Sequence, residues 1–263
     1  MRLVALHTVV PVRSEASETS EQLTQLLFAE TCQLIEQQDR WLLIRNDADG
    51  QTGWCDRKML TPLSEEEESQ YLSYDFSALV SVPMAYAVSE ANHQTFPLTA
   101  STRLPNYKEG RFNLLGSRFL IDPSMVAQQP LILDKDTFLN TTRFFLNIPY
   151  LWGGKNALGL DCSGFTQVVM SLFGVLLPRN ASQQVHNGDE ICFLSEARLG
   201  DLAFFSHGQQ TDISHVGILL DTETILHCSG RVKVEKIDNN GIISSETGEY
   251  THWLRAIKRV SNG

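Results

Sequence analysis

The sequence places a cysteine where a nucleophile can be generated. Cys162 follows bends supplied by residues 149–154 and Gly159. After it, apolar residues recur at spacings of three and four: Phe165, Val168, Val169, Leu172 and Phe173. This spacing predicts a helix with Cys162 in its first turn and Asp161 as N-cap. Unpaired N–H groups and the helix dipole favour a thiolate there, which predicts a thiol pKa below the free value of about 8.5. The alternative is a buried apolar cysteine.

Two histidines lie on neighbouring predicted strands. Residues 214–220 and 224–228 are apolar, and the polar turn between them predicts a β-hairpin. If the hairpin is symmetric about Asp221, His215 and His227 oppose each other on one face, with Cβ atoms about 5 Å apart. One imidazole would then activate the thiol and later protonate a leaving amine, while the other fixes its tautomer. The alternative is that either histidine is a structural residue of the sheet.

Several motifs, in one order along the chain, resemble the NlpC/P60 cysteine peptidases. They are Tyr-Leu-Trp-Gly-Gly at 150–154, Asp-Cys-Ser-Gly-Phe at 161–165, Gly-Asp-Leu at 200–202, Ser-His-Val-Gly at 214–217, and His227. The resemblance covers about residues 133–263. It implies a papain-like α+β catalytic domain, in which the cysteine helix packs on an antiparallel sheet. It also implies hydrolysis of an amide in a cell-wall peptide through a thioester, usually between γ-D-glutamate and a diamino acid.

The resemblance also implies the catalytic roles. Cys162 is the expected nucleophile, His215 the base and His227 the orienting group. Tyr150 matches a tyrosine near the acyl site, where its hydroxyl would donate to the developing oxyanion together with the Cys162 N–H. No cofactor is expected.

Substrate-binding roles follow from the same resemblance. In relatives that require a free amino terminus, the residues that match Asp161 and Ser163 help to hold the substrate's ammonium and backbone. Arg179 would pair with a substrate carboxylate, or else bond nearby carbonyls in a loop. Arg179 is followed by Asn180 where the family commonly has Asp, so any contact to a cationic group there is expected to be weaker.

The amino-terminal half is predicted to form short strands divided by polar turns. The first strands are expected at residues 9–13, 23–28, 32–35, 41–45 and 53–55, in an order that resembles a bacterial SH3 domain. Later strands are expected at residues 77–82, 97–98, 102–105, 111–115 and 119–121, and a helix at 134–147. We therefore expect two small all-β SH3-like barrels before the catalytic domain. The expected limits are a first barrel at 1–64, a linker or exposed helix start at 65–75, a second, degenerate barrel at 76–132 and the peptidase domain at 133–263.

The first barrel bears on the choice of substrate. If it closes one end of the catalytic groove, only short peptides with a free amino end would enter, because a longer wall strand would clash. Glu21 and Asp56 are the candidate acidic residues that would join Asp161 in binding the substrate's ammonium. The alternative for both is an ordinary solvated surface carboxylate.

Composition excludes several classes of partner. The net charge is −10 and no basic cluster is present, which argues against binding to nucleic acid or an anionic membrane. The five cysteines show no paired framework, which fits a reducing compartment, and no metal-binding spacing occurs. Residues 3–6 are too short for a signal-peptide core, so we expect a cytoplasmic protein; an export signal that had been removed would leave the same pattern. The oligomeric state stays open.

The leading expectation is an endopeptidase acting on murein tripeptides or tetrapeptides with a free amino-terminal L-Ala, releasing L-Ala-γ-D-Glu. Two alternatives remain. One is an exported peptidoglycan hydrolase that uses the SH3-like domains as wall anchors. The other is a non-catalytic peptide-binding protein.

Overall fold

The computed structural model describes residues 1–208 and 211–260, which belong to two compact units. The first unit comprises Met1–Pro130 with Trp152–Ala157, and the second comprises Leu131–Leu151 with Leu158–Gly263. No helix in the described part of the chain combines the length and the apolar character that crossing a lipid bilayer requires.

The first unit begins with an antiparallel sheet of seven strands. They are β1 (Arg2–Ala5), β2 (Val9–Arg13), β3 (Gln22–Leu27), β4 (Thr31–Gln38), β5 (Trp41–Asn46), β6 (Thr52–Asp56) and β7 (Leu60–Pro62). Their order in the sheet is β3-β2-β6-β5-β4-β1-β7. Alternate residues such as Val10 and Val12 point into a buried core with Leu26 and Ile44. All five strands expected in this region are present.

A second sheet follows a short helix in the first unit. The elements are α1 (Glu65–Leu72), β8 (Leu79–Val80), β9 (Met84–Ser89), β10 (Thr95–Thr99), β11 (Arg111–Leu114), β12 (Ser117–Ile121) and β13 (Val126–Ala127). Ser64 and Glu67 form a capping box that begins α1, so this acidic run is a helix start. The four-stranded sheet has the order β10-β9-β12-β11, and β8 pairs with β13.

In this region one strand was missed and one expected strand is absent. Met84–Ser89 is a strand that we did not expect, since its two alanines carry little strand propensity. Residues 102–105, expected as a strand, contribute only an isolated bridge between Leu79 and Arg103. The chain turns just before them, because Ser101 has a φ of 72° and the Thr102 N–H bonds Thr99 O at 3.1 Å.

The two sheets of the first unit share apolar packing. Phe28, which directly follows β3, meets Phe112 and Phe119 edge to face, at ring-centroid distances of 6.3 and 5.8 Å. The segment Trp152–Ala157, with β14 (Lys155–Asn156), belongs to this unit as well. Its Lys155 Nζ lies 3.0 Å from Glu30 Oε1.

In its described residues, the second unit contains three α-helices and a large antiparallel sheet. The helices are α2 (Lys135–Thr142), α3 (Cys162–Leu172) and α4 (Ala181–Gln184). The strands are β15 (Gly159–Leu160), β16 (Asp189–Glu190), β17 (Leu202–Ser206), β18 (His215–Leu219), β19 (Thr224–Ser229), β20 (Arg231–Ile237), β21 (Gly241–Ile243) and β22 (Tyr250–Arg259). The helix expected at 134–147 ends at Thr142 and continues only as a 3-10 turn, Arg143–Phe145.

The large sheet closes on itself. Its order is β16-β22-β17-β18-β19-β20-β21, and β22 also pairs with β21, so the strands from β17 to β22 form a ring. Helix α3 contacts β18 and β19, which carry His215 and His227. The fold thus places the start of the cysteine helix against the two histidine strands.

Candidate active site

Cys162 lies at the first position of α3, as expected from the sequence. Asp161 caps the helix, because its Oδ1 accepts a hydrogen bond from the Gly164 N–H at 2.7 Å. Every residue of α3 is buried, and its polar side chains Thr166, Gln167 and Ser171 are hydrogen-bonded. Cys162 itself is only 7% exposed. The helix and its cap are therefore confirmed.

The expected low pKa of Cys162 was wrong. Burial raises the pKa of the Cys162 thiol to about 12, and the nearby Asp161 carboxylate adds to this effect. Hydrogen bonds from the backbone N–H groups of Val216 and Ser163 to the sulfur act in the opposite direction, but they are outweighed. The free-energy cost of removing a thiolate from water exceeds the stabilisation that the helix N-terminus provides. The resting thiol is therefore protonated at neutral pH and needs a base at the moment of attack.

The two histidine side chains meet, although by a different register from the one expected. His215 Nε2 lies 2.8 Å from His227 Nδ1. In the β18–β19 pairing His227 stands opposite Gly217, so His215 lies two residues along the strand rather than directly opposite. The turn is centred one residue later than assumed, because Asp221 Oδ1 accepts from the N–H groups of both Glu223 and Thr224. Both imidazoles remain on one face, since the shift is by an even number of residues.

Gly217 makes the contact between the histidines possible. A Cβ atom at position 217 would lie only 2.8 Å from the Cβ of His227 and 2.7 Å from Ile225 Cδ1. The missing side chain leaves the His227 ring free to lean across its partner strand towards His215.

Both histidines are neutral at physiological pH. Burial lowers the pKa of His215 well below its usual value, and the neighbouring His227 lowers it further. Burial also lowers the pKa of His227, against the opposing effect of Glu235. A neutral His215 can accept a proton, which is what a general base requires.

Glu235 and His252 also belong to this cluster, and we did not identify either from the sequence. Glu235 Oε2 lies 2.9 Å from His227 Nε2. The His252 ring stacks on that of His215, with centroids 4.1 Å apart. One signal was available for Glu235: it alternates with Ile237 along β20, which places a carboxylate at a buried strand position.

Asp161, Ser163 and Arg179 form a buried, hydrogen-bonded group at the start of the cysteine helix. Arg179 is 1% exposed, and its Nη1 donates to Asp161 Oδ1 at 3.0 Å and to Ser163 Oγ at 2.9 Å. Its Nη2 donates to the other oxygen of Asp161, which makes the pair bidentate. This placement favours a supporting role for Arg179 over a direct contact to a substrate carboxylate. Asn180, the residue after it, is the N-cap of α4.

Tyr150 lies in the second unit and is the candidate hydrogen-bond donor to the oxyanion. Its backbone N–H bonds Gly230 O at 2.9 Å, and it bridges to Leu160 just before the cysteine helix. Burial raises the pKa of Tyr150 above its ordinary value, and Cys162 and Asp161 raise it further. The phenol therefore keeps its proton, as a donor to an oxyanion must.

Glu21 and Asp56 lie in the first unit. Glu21 Oε1 accepts from Trp152 Nε1 at 2.6 Å. Asp56 accepts from the Lys58 N–H at 3.0 Å and caps a 3-10 turn, and it also lies 3.5 Å from Arg40. Seven of the nine predicted site residues are thus in the second unit. Within residues 1–208 and 211–260, no group of three or more His, Cys, Asp or Glu side chains is arranged to hold a metal ion.

Comparisons with known proteins match two parts of the chain to known families. Residues 147–250 match the NlpC/P60 family, and residues 8–61 match the bacterial SH3 domain. The chain is 28% identical over 217 residues to γ-D-glutamyl-L-lysine dipeptidyl-peptidase of Bacillus subtilis, covering 78% of this chain and 71% of the relative. A Bacillus cereus protein of the same name is 26% identical over 252 residues, covering 86% and 73%.

A solved structure shares the fold along almost the whole chain. The crystal structure of an NlpC/P60 family protein from Bacillus cereus superposes with a TM-score of 0.82, at 20% identity, and covers 98% of this chain and 99% of that one. At this identity the likeness concerns the fold alone. Together, the two family matches and the order of motifs around Cys162, His215 and His227 identify the chain as one that carries an NlpC/P60 domain preceded by a bacterial SH3 domain.

Proposed function

We propose that the second unit is a cysteine peptidase with Cys162 as nucleophile and His215 as general base. The observation that carries this proposal is the 2.8 Å contact between His215 Nε2 and His227 Nδ1 on the strands that pack against the cysteine helix. A nucleophile, a base and a group that orients the base are the three parts that cysteine catalysis requires.

The protonation states decide how the reaction begins. Because the thiol is protonated and His215 is neutral, His215 takes the thiol proton as Sγ adds to the carbonyl carbon of the scissile amide. The Tyr150 hydroxyl and the Cys162 N–H donate to the oxyanion. His215 then returns the proton to the leaving amine, the C–N bond breaks, and a thioester remains. Water attacks the thioester with His215 again as base, which releases the acid and restores the thiol.

We propose the bond between γ-D-glutamate and an L-diamino acid as the one cleaved. The support is that two relatives, which this chain matches over most of their length, bear the name γ-D-glutamyl-L-lysine dipeptidyl-peptidase. The substrate would be a murein tripeptide or tetrapeptide with a free amino-terminal L-Ala, and the product L-Ala-γ-D-Glu. Asp161 and Ser163 are the proposed contacts to the ammonium and backbone at that end, and each would share its side-chain oxygens between the substrate and Arg179.

The domain limits, the substrate contacts from the first barrel and the location of the protein are further proposals. The proposed domain limits are 1–64, 76–132 and 133–263, with a linker at 65–75. The substrate contacts of Glu21 and Asp56 and a cytoplasmic location also stay predictions.

A defined tripeptide tests the proposed substrate. We expect L-Ala-γ-D-Glu-L-Lys to be cleaved to L-Ala-γ-D-Glu and lysine, with both products measured by mass spectrometry. Acetylation of the L-Ala nitrogen should lower kcat/KM by about 10- to 100-fold, since a hydrogen bond to a charged group contributes about 1.5–3 kcal/mol. Amidation of the lysine carboxylate is the matched control and should leave the rate close to that of the parent peptide. Equal rates for the acetylated and free peptides would remove the free-amine requirement.

The space left by Gly217 gives a second test. Gly217→Ala should push His227 away from His215 and lower kcat by about 10²-fold, the usual cost of a misplaced catalytic group. The same substitution in a His227→Ala background should change kcat little, because the displaced ring is already gone. Steady-state kinetics of the four proteins measures this coupling. A loss of the same size in both backgrounds would show that Gly217 acts on stability instead.

A further inference from the structure

Three buried side chains form a continuous hydrogen-bonded row in the second unit. His215 Nε2 lies 2.8 Å from His227 Nδ1, and His227 Nε2 lies 2.9 Å from Glu235 Oε2. The three residues are 4%, 0% and 3% exposed, so water does not compete for these contacts. Each ring nitrogen in the row therefore has a fixed partner.

Glu235 is an acceptor at both carboxylate oxygens. Its Oε1 accepts from the Ser245 N–H at 2.9 Å, the Ser245 hydroxyl at 3.0 Å and Lys233 Nζ at 3.0 Å. Burial alone would raise the pKa of Glu235, but the hydrogen bonds from His227, Ser245 and Lys233 together outweigh it and hold the pKa well below its usual value. Glu235 is thus ionised, and its Oε2 can only accept a proton from His227.

The ionised Glu235 determines which nitrogen of each histidine in the row carries the proton. A neutral imidazole carries one N–H and one bare nitrogen. If His227 Nε2 donates to Glu235, then His227 Nδ1 is bare and must accept from His215 Nε2. His215 Nε2 therefore carries the ring proton, and His215 Nδ1 is left bare.

We infer that Glu235 is a positioning residue that sets the tautomer of His215 through His227, so that the bare Nδ1 is available to take the proton of Cys162. This inference rests on the proposed function of His215 as base. Glu235 has a second effect once His215 has taken the proton, because its negative charge stabilises the resulting imidazolium at the other end of the row. The positive Lys233 moderates that charge. The other titratable groups at the rings are His252, which stacks on His215, and His207, whose ring lies 5.0 Å from that of His252.

Glu235→Gln is the decisive substitution. Three donors face Oε1, and two of them, the Ser245 N–H and the Lys233 ammonium, cannot accept a hydrogen bond. The amide oxygen is therefore expected to take the Oε1 position, and the amide NH₂ the position beside His227. His227 Nε2 would then have to accept, its proton would move to Nδ1, and His215 would carry its proton on Nδ1, the nitrogen that is proposed to take the thiol proton. The side chains would stay hydrogen-bonded to one another, but donor and acceptor would be exchanged in each hydrogen bond of the row.

The test combines kinetics with direct observation of the ring nitrogens. In the Glu235→Gln variant we expect kcat to fall by a factor on the order of 10⁴, the effect seen when a catalytic histidine is held in the wrong tautomer, with KM little changed. In ¹⁵N spectra of histidine-labelled protein, the protonated nitrogen of both His215 and His227 should switch between the unaltered protein and the variant. Glu249→Gln, which changes an exposed glutamate of the same unit, is the matched control and should alter neither measurement.

Both the spectra and the kinetics can overturn the inference. It is wrong if Nδ1 of His215 is protonated in the unaltered protein, a measurement that needs no variant to fold. It is also wrong if Glu235→Gln folds and keeps its kcat or its ring-nitrogen spectrum. A protein that cleaves no γ-D-glutamyl peptide would contradict the proposed substrate, but the spectra would still decide the role of Glu235.

Discussion

Replacement of Cys162 by alanine is expected to lower kcat for the tripeptide by about 10⁶-fold, the loss found when a catalytic nucleophile is removed from a hydrolase. The reason is that no thioester can form without Sγ, and the oxyanion donors and the histidine row then have no nucleophile to assist. The variant should fold, because alanine fits the space of the buried thiol and keeps the helix start. Turnover measured by release of the diamino acid checks the result.

The control for this experiment is Cys192→Ala. Cys192 is an exposed cysteine of the second unit, so its removal should leave kcat unchanged. Mass spectrometry of the unaltered protein during turnover should also detect an acyl group on the peptide that contains Cys162. Substantial activity in the Cys162→Ala variant, or an acyl group on another residue, would contradict the assignment of the nucleophile.

The second large effect is expected from Arg179→Leu. This change leaves the Asp161 carboxylate buried without the guanidinium that balances it, and Ser163 Oγ loses the same donor. Breaking a buried ion pair by removing one partner typically costs about 3–5 kcal/mol of unfolding free energy. Urea unfolding measures the total loss, and hydrogen exchange of the α3 amides locates it at the start of the cysteine helix.

Two further variants test whether the loss of the Asp161–Arg179 ion pair accounts for the lost stability. Asp161→Asn combined with Arg179→Leu should recover part of the lost stability, because asparagine still caps the helix and carries no charge. Arg231→Leu, at an exposed arginine that lies 3.6 Å from Glu246, should change the unfolding free energy by no more than about 0.5 kcal/mol. If Arg179→Leu is no more harmful than Arg231→Leu, the buried ion pair does not stabilise the second unit.

Local patterns in the sequence predicted the local parts of the structure well. The apolar spacing after Cys162 predicted α3, and Asp161 was identified as its cap because a short polar side chain precedes that run. The strands of the first sheet followed from alternation and polar turns. The coarse fold, an SH3-like domain before a papain-like NlpC/P60 domain, is confirmed by the family matches and the shared fold.

What the sequence did not reveal depends on distant contacts. The thiol pKa was misjudged because the burial of Cys162 comes from packing on β18 and β19, more than fifty residues away along the chain, whereas the helix start is local. Glu235 was missed because the apolar pattern does not show the β19–β20 register that brings its side chain to His227. His252 was missed because β22 reaches the histidine strands through β17, far from them along the chain. The hairpin register was misjudged by one residue at its turn, because the two N–H groups that Asp221 holds are not visible in an apolar pattern.

The protonated state of the resting Cys162 has a consequence for the lifetime of the protein. Oxidants and alkylating agents attack thiolates much faster than thiols, and the first oxidation product, a sulfenic acid, can proceed to irreversible acids. A sulfur that is 7% exposed and has a pKa of about 12 presents almost no thiolate to such reagents. The nucleophile is stored in a chemically durable form, and its reactivity is confined to the moments when a substrate carbonyl is present to receive it.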